Sequence, residues 1–543
     1  MFKKSSQDKQ VDLFSDTSSL LAGKAQKQLD DPKAWHNQFQ KQVVQRIDES
    51  PFEVLYSSKM GAPNASVSLL VGMMILKEAF NWSDMQLYEH CRFNLLARNA
   101  LGLINMHDEV PGESTYYLFR KRVFEHRQQT GRDLIREVFE EVTREQIKDF
   151  DVNGTSIRMD SKLIGSNIAF FSRYELVHKS LCLFYKTLDK KALKLFTRPV
   201  REQLRDIFEE ESGKTVYRSN REEVKERLLL LGGLICRMLT YLKQRKDQKE
   251  YKILERVFDD NFQVVDKLQV TLRESQKISS DSIQSPHDPD AAYRKKGKPV
   301  KGYSVNITET NTQDSLNLIT GAIVVKANVQ DLEFVRPAIE SANKLTGQRV
   351  DKVYVDGAYQ SASNDEFCKH IDMVYTGLQG YNARYDLKRT DKGLQVTDTH
   401  TGQIEMARKI NTKSTKVKEK WGIKTDKGYR YFDEGHIRAS ELRRELEKRP
   451  IEELWKRNNV EATIFQLGYH LKNGKSKYRG LYKQQAWATC RCMWINLVRI
   501  MKFTQKTCQR TFQSLKSGAS RPLVTAINAV QIFITPKYQI MAA

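Results

Sequence analysis

Lys352-Val-Tyr-Val-Asp356 is the stretch on which the fold turns. It reads as a strand ending in an acid, and Gly357 follows it. An amphipathic helix over residues 331–345 precedes it. Before that come two strand-like runs, Lys301-Gly-Tyr-Ser-Val-Asn-Ile-Thr-Glu-Thr and Leu318-Ile-Thr-Gly-Ala-Ile-Val-Val. Strands, a helix, then another strand make an α/β arrangement. Upstream, Thr155-Ser-Ile-Arg-Met-Asp160 reads as a further short strand ending in an acid, with Gly165-Ser-Asn following.

Working outward, residues 170 to about 277 return to helical periodicity and read as a helical insertion, with charged positions among the leucines of Glu222 to Lys243. Residues 380–435 alternate strand-like runs with turn residues and read as a small β-rich insertion. From about Ile437 the chain is helical again, apart from a break at Gly474 and a loop to Gly480. Residues 1–30 read as a flexible arm. Residues 31–150 are helical: a helix from Ser66 breaks at Asn81-Trp82 and restarts at a Ser83 cap, and a short helix runs near Phe93 to Leu101. Pro111-Gly112-Glu113-Ser114 then precedes a basic helix, with Ser114 as its expected cap. This order is compatible with a helix-turn-helix DNA reader, and a plain helical bundle fits the spacing equally well.

The chain has 543 residues, and 90 Lys and Arg against 67 Asp and Glu give a net charge of 90 − 67 = +23. After Glu461 there is no Asp or Glu, while eight Lys and five Arg follow. Interleaved aromatics (Tyr478, Tyr482, Trp487, Trp494, Phe503) make a folded, phosphate-binding face a better reading of this segment than a solvated tail. The stretch 501–543 is assigned as a basic carboxyl-terminal segment. Seven cysteines without a CxxC pair fit a reducing cytoplasm and give no zinc ribbon. No apolar run reaches the roughly 18 residues of a membrane span, and the amino end lacks a signal-peptide apolar region. A cytoplasmic, nucleoid-associated protein with no membrane partner is expected.

Asp160 and Asp356 follow strands, where open α/β folds place ligands, and Glu461 sits in a helix. Three such carboxylates suit Mg²⁺, a cation that prefers oxygen ligands. Arg457, Glu461, Phe465, Gly468 and Lys472 form one helical stripe. An Arg457–Glu461 ion pair on a solvated face is the plain alternative. His287-Asp288 reads first as a turn pair, Asp281 as a possible alternative acid, and Ser161 and Lys162 as possible phosphate contacts. Trp487 and Trp494 read as a core stripe, and Cys490 and Cys492 as buried thiols.

These motifs resemble those of a known family. Arg-Met-Asp160-Ser-Lys-Leu-Ile-Gly-Ser-Asn is similar to the first acidic motif of DDE transposases from bacterial insertion sequences. Ser282-Ile-Gln-Ser-Pro-His-Asp-Pro-Asp-Ala with Lys298 to Thr310 resembles the stretch through their central strands. Val353-Tyr-Val-Asp356-Gly-Ala-Tyr-Gln-Ser is similar to the second acid motif, and Arg457-Asn-Asn-Val-Glu461-Ala-Thr-Ile-Phe with Lys477-Tyr-Arg-Gly-Leu to the third. The likeness is to the eleven-eighty-two group. It implies a ribonuclease H-like catalytic core over 151–500 behind an amino-terminal helical DNA-binding domain, with Asp160, Asp356 and Glu461 as catalytic metal ligands. It implies Mg²⁺, with Mn²⁺ as a substitute. Relatives carry a Tyr-Arg-Glu-Lys signature. Here its Tyr and Lys positions are Leu454 and Gly468, with Lys472 as a stand-in one turn on. Arg457, Lys472, Lys477 and Arg479 are the expected DNA contacts. Relatives' cysteine cluster is reduced to Cys368, so no zinc is expected.

The expected function is a transposase that binds terminal inverted repeats and performs Mg²⁺-dependent DNA cleavage and strand transfer. Its partners would be double-stranded DNA, both element ends and target, and by resemblance a second copy of the chain in a synaptic homodimer. The alternatives are a nuclease or resolvase on the same core and a catalytically inactive DNA-binding repressor.

Overall fold

The computed structural model describes residues 1–5, 16, 20–57, 61–266, 268–313, 315–378, 383–410, 419–425 and 428–518. Its centre is a six-stranded mixed sheet. The strands are β1 (Ser156–Gly165) and, after a two-stranded hairpin of β2 (Phe262–Asp266) and β3 (Gln269–Leu272), β4 (Ala292–Lys296), β5 (Lys298–Thr310), β6 (Ile319–Lys326), β7 (Lys352–Asp356) and β8 (Asp372–Thr376). β5 runs antiparallel to β4, to β6 and to β1, the last from Ile157 opposite Thr310 to Gly165 opposite Gly302. β1 is parallel to β7, and β7 to β8.

Asp160 stands in the middle of β1, not at its end as the sequence pattern suggests. The strand continues for five residues because β5, more than 130 residues downstream, supplies a partner through Gly165. Asp356 does end its strand.

Alternation along β1 decides which face each side chain takes. Ile157 and Met159 pack with Val353 and Val355 against Val335, Ala338 and Ile339 of the helix Val335–Thr346. On the opposite face Ile164 joins Val305, Ile307 and Val324 under Trp487, Ile495 and Leu497 of the long helix Leu481–Gly518. That helix crosses the expected boundary at residue 500 without interruption. No Gly or Pro stands between Leu481 and Lys516, and Ile500 and Met501 are both buried.

The amino-terminal helices share this second core. The helix Val67–Phe80 is apolar on nearly all sides and buries 11 of its 14 residues, as a helix hydrophobic all round must. Ser66 Oγ accepts from Leu69 N, and Asn81, at φ 58°, closes the helix in the left-handed region. A Ser83–Gln86 capping box then starts the helix Asp84–Phe93. Leu95–Ala100 and Glu113–Thr130 follow. Gly112, not Ser114, is the cap of the second of these, since Ser114 is already within its first turn. Residues 1–30 are less free than expected: Met1 N donates to Ala62 O, Lys3 N to Asn64 Oδ1, and Gly23–Leu29 is a helix. Residues 6–15 and 17–19 of that arm lie outside the described residues, as do 519–543 of the basic segment.

The insertion is helical from Arg173–Tyr185 to Lys249–Asn261 and has its own hydrophobic core, including Val177, Leu181, Leu231, Ile235 and Leu254. Its last part departs from expectation, because Phe262–Asp266 and Gln269–Leu272, rich in β-branched residues, pair as β2 and β3. The β-rich insertion is an antiparallel sheet of β9 (Tyr385–Thr390), β10 (Gly393–Asp398), β11 (Ile404–Ile410), β12 (Lys420–Thr425) and β13 (Gly428–Asp433), paired in sequence order. Leu387, Val396, Trp421 and Phe432 bury one face of it against Ile437. Among the described residues, no helix is long and apolar enough to cross a membrane.

Candidate active site

β1 and β7 pair with Ser156 opposite Lys352 and Arg158 opposite Tyr354, an offset of 352 − 156 = 196. The same offset, 356 − 160 = 196, carries Asp160 to Asp356. The two acids therefore lie level on adjacent parallel strands, although the paired register itself ends at Arg158. Gly357 allows the turn after Asp356: a Cβ there would lie 2.9 Å from Gly377 O, at the end of β8. The Asp356 carboxylate has no hydrogen bond or ion pair among the described residues.

Glu461 comes from the helix Asn458–Gly468, which crosses the face of β1 that carries Arg158, Asp160 and Lys162. Arg457, the residue before this helix, joins the two elements. Its Nη2 lies 3.0 Å from Asp160 Oδ2 and its Nη1 lies 2.9 Å from Glu461 Oε1. The Arg457–Glu461 pair of the plain alternative is thus present, but on a largely covered Arg457 that has Asp160 as a second partner. Arg457 is largely covered, whereas the Glu461 side chain is 58% exposed.

Burial raises the Asp160 carboxyl above the usual carboxylate range. Arg457 and the backbone N–H of Ser161 oppose that shift, and the charges of Asp356 and Glu461 add to it. Asp160 thus feels the fields of the other two acids. Tyr359, of the Asp-Gly-Ala-Tyr motif, is fully buried near Asp160, and Asn306 Nδ2 donates to its hydroxyl at 2.7 Å.

A buried network fixes these parts, and sequence reading missed it. Arg158 Nε donates to Glu309 Oε1 at 2.5 Å, and Arg158 Nη1 to Lys456 O at 3.1 Å. Glu309 Oε2 accepts from Thr463 Oγ1 and from Arg499 Nη2, each at 2.7 Å. Glu309 is 0% exposed, and Arg499 and Arg158 hold its carboxyl below the usual range against the opposing effect of burial. Arg158 is two residues before Asp160, and Thr463 two after Glu461. The network therefore joins both acid-bearing elements to β5 and the long helix. Asp331 was also missed: buried, it accepts from Ser161 Oγ at 2.9 Å and pairs with Arg294.

The remaining candidates fall in different places. Lys472 is off the helical stripe, because the helix ends at Gly468 and Lys472 bridges to Lys475 in the following loop. Lys477 Nζ donates to Asn81 O at 2.8 Å and Arg479 Nε to Asn167 O at 2.6 Å, so both tie that loop to the body. Asp288 is buried and accepts from Tyr303 Oη at 2.6 Å and from Ser166, while Asp281 pairs with Arg256 and Lys326. Both acids are held by structural partners away from Asp160. Trp487 is buried, Trp494 meets Trp35, Phe39 and Phe80, and Cys490 and Cys492 are buried thiols.

The donor set suits a hard cation in its chemistry: carboxylate oxygens, with no His or Cys among the three acids. The Asp160–Asp356 pair fits best, since the Asp356 carboxylate has no hydrogen bond or ion pair among the described residues and its charge, after burial, helps raise the Asp160 carboxyl. Glu461 is turned to Arg457. Among the described residues no three His, Cys, Asp or Glu side chains form a cluster that could hold a metal ion.

Residues 27–122 match the family model described as a transposase domain, DUF772. The match runs from the end of the helix Gly23–Leu29 to the middle of Glu113–Thr130. It supports a transposase-family assignment and, in general terms, a DNA-binding, DNA-transposase-like role. No curated protein and no solved structure matches the chain.

Proposed function

We propose that the chain is a DDE transposase that binds the terminal inverted repeats of an insertion sequence and catalyses DNA cleavage and strand transfer. The observation that carries this reading is the level placement of Asp160 and Asp356 on adjacent parallel strands, with Glu461 linked to Asp160 through Arg457. The strand order β6-β5-β1-β7-β8, antiparallel over the first three and parallel over the last three, supports a ribonuclease H-like core. The transposase-domain match supports the biological role.

Asp160, Asp356 and Glu461 would hold Mg²⁺, or Mn²⁺ in its place, which supplies activation of the attacking hydroxyl and stabilisation of the leaving oxygen. Arg457 keeps Asp160 and Glu461 from facing each other without a countercharge. The Arg158–Glu309–Thr463–Arg499 network sets the distance between β1 and the helix of Glu461. Double-stranded DNA would be held by cations around this face, with Arg457 and Lys472 nearest to it in sequence. On the helix Glu113–Thr130 the exposed Lys121 would meet the element ends, while Arg120, Arg122 and Arg127 are half-buried over Tyr116, Tyr56 and Tyr482. A homodimer acting beside the nucleoid completes the proposal.

The test uses the full chain with Mg²⁺ and duplexes carrying the inverted repeats that flank its gene. Cleaved ends joined to a target plasmid are expected. Cleaved ends without joining would make it a nuclease, and binding without cleavage a repressor.

A further inference from the structure

Lys162 is half-buried, and among the described residues its ammonium has no hydrogen bond and no ion pair. It lies two residues beyond Asp160 on β1, so both side chains leave the same face of the sheet. Its Nζ reaches across to the helix of Glu461. A Cβ at Gly468 would lie 2.8 Å from Nζ and 3.2 Å from Cε, so any other residue there would displace the ammonium. Gly468 is about two helical turns beyond Glu461, on the same side of that helix.

Covering an ammonium costs free energy unless an anion shares the space. The nearby acids do not serve. Asp160 and Glu461 are paired with Arg457, Asp331 is paired with Arg294, and Asp356 makes no ion pair with Lys162. We propose that Lys162 binds a phosphodiester of the DNA strand lying beside Asp160 and Asp356, and that Gly468 is the opening that admits its ammonium. The proposal rests on the transposase reading. Its logic is electrostatic: a phosphate brought next to three carboxylates needs a cation from the protein on the same face.

The test is binding of a short fluorescent duplex by the full chain in Ca²⁺, followed by anisotropy over a range of NaCl concentrations. Lys162→Met keeps the length of the side chain and removes its charge. It should weaken binding about tenfold at low salt and reduce the slope of log K against log salt by about 0.9, the share of one phosphate. Gly468→Val leaves Lys162 in the sequence but expels its ammonium, and it should lose the same slope. It also stands in for Lys162→Met if that protein melts early. The double variant Lys162→Met with Gly468→Lys returns an ammonium from the helix side and should recover the slope. Wild-type affinity and slope in either single variant would overturn the proposal. The readout is binding without chemistry, so that result would leave the transposase reading standing. Cleavage by Asp160→Asn would remove the transposase reading instead.

Discussion

Arg158 stands directly opposite Glu309 across the β1–β5 ladder, and its Nε donates to the Glu309 carboxylate. The buried Arg158 guanidinium, the half-buried Arg499 guanidinium and the Thr463 hydroxyl converge on that one carboxylate, from β1, the long helix and the helix of Glu461. Removing one partner from a buried charge network leaves the others without compensation, which costs about 3–5 kcal/mol. Glu309→Gln should therefore lose about that much stability in urea unfolding. A loss under about 1 kcal/mol, the scale of an exposed pair, would show that the network does not hold the site.

The same carboxylate sets a pH response. Its pKa is below the unfolded value, so its stabilisation is complete above the ordinary Glu range, about 4.3, and is lost as pH falls through the lower folded pKa. The urea midpoint of wild type should fall faster than that of Glu309→Gln as the pH drops below 4.3.

Asp160 has the opposite sign. Its pKa is raised, so the folded state binds its proton more tightly, and stability declines as pH rises from the unfolded value through the folded one. Asp160→Asn removes this penalty. The variant should melt higher than wild type at pH 8, and the gain should vanish at a pH where Asp160 is protonated in both states. Equal melting at both pH values would contradict the account of Asp160 as a strained site carboxylate.

The cations after Glu461 divide by what they touch. Arg491 is buried, and its Nη1 donates to Glu78 O and Ala79 O at the end of the helix Val67–Phe80. Arg491→Gln should cost about 1.5–3 kcal/mol of stability and leave the salt slope of DNA binding unchanged. Lys472 is exposed. Lys472→Gln should leave stability within about 0.5 kcal/mol and reduce the slope by about 0.9. Thermal melting and binding titrations of the two variants check both halves.

Local signals were legible where the chain settles its structure with near neighbours. The Ser66 and Ser83 caps, the strand ending at Asp356 and the β-rich insertion are of this kind. Long-range partners were not legible. Nothing near Asp160 reveals that β5 carries the strand onward, and nothing near Glu309 reveals Arg158, 151 residues before it, or Arg499, 190 after it. Lys472 shared a periodicity with Glu461, but periodicity does not show that a helix ends at Gly468. The charge count after Glu461 likewise treated Arg491 and Lys472 alike, although only tertiary packing decides which cation meets solvent.

The level pair Asp160 and Asp356, with Glu461 beside it, is the central claim, and strand transfer by the acid variants tests it most directly. Asp160→Asn, Asp356→Asn and Glu461→Gln would each be assayed for cleaved and joined products in Mg²⁺ and in Mn²⁺, beside DNA binding in Ca²⁺. The account predicts that each variant binds DNA as wild type does and yields neither product with either metal. Joined products from any of the three at the wild-type rate would contradict it.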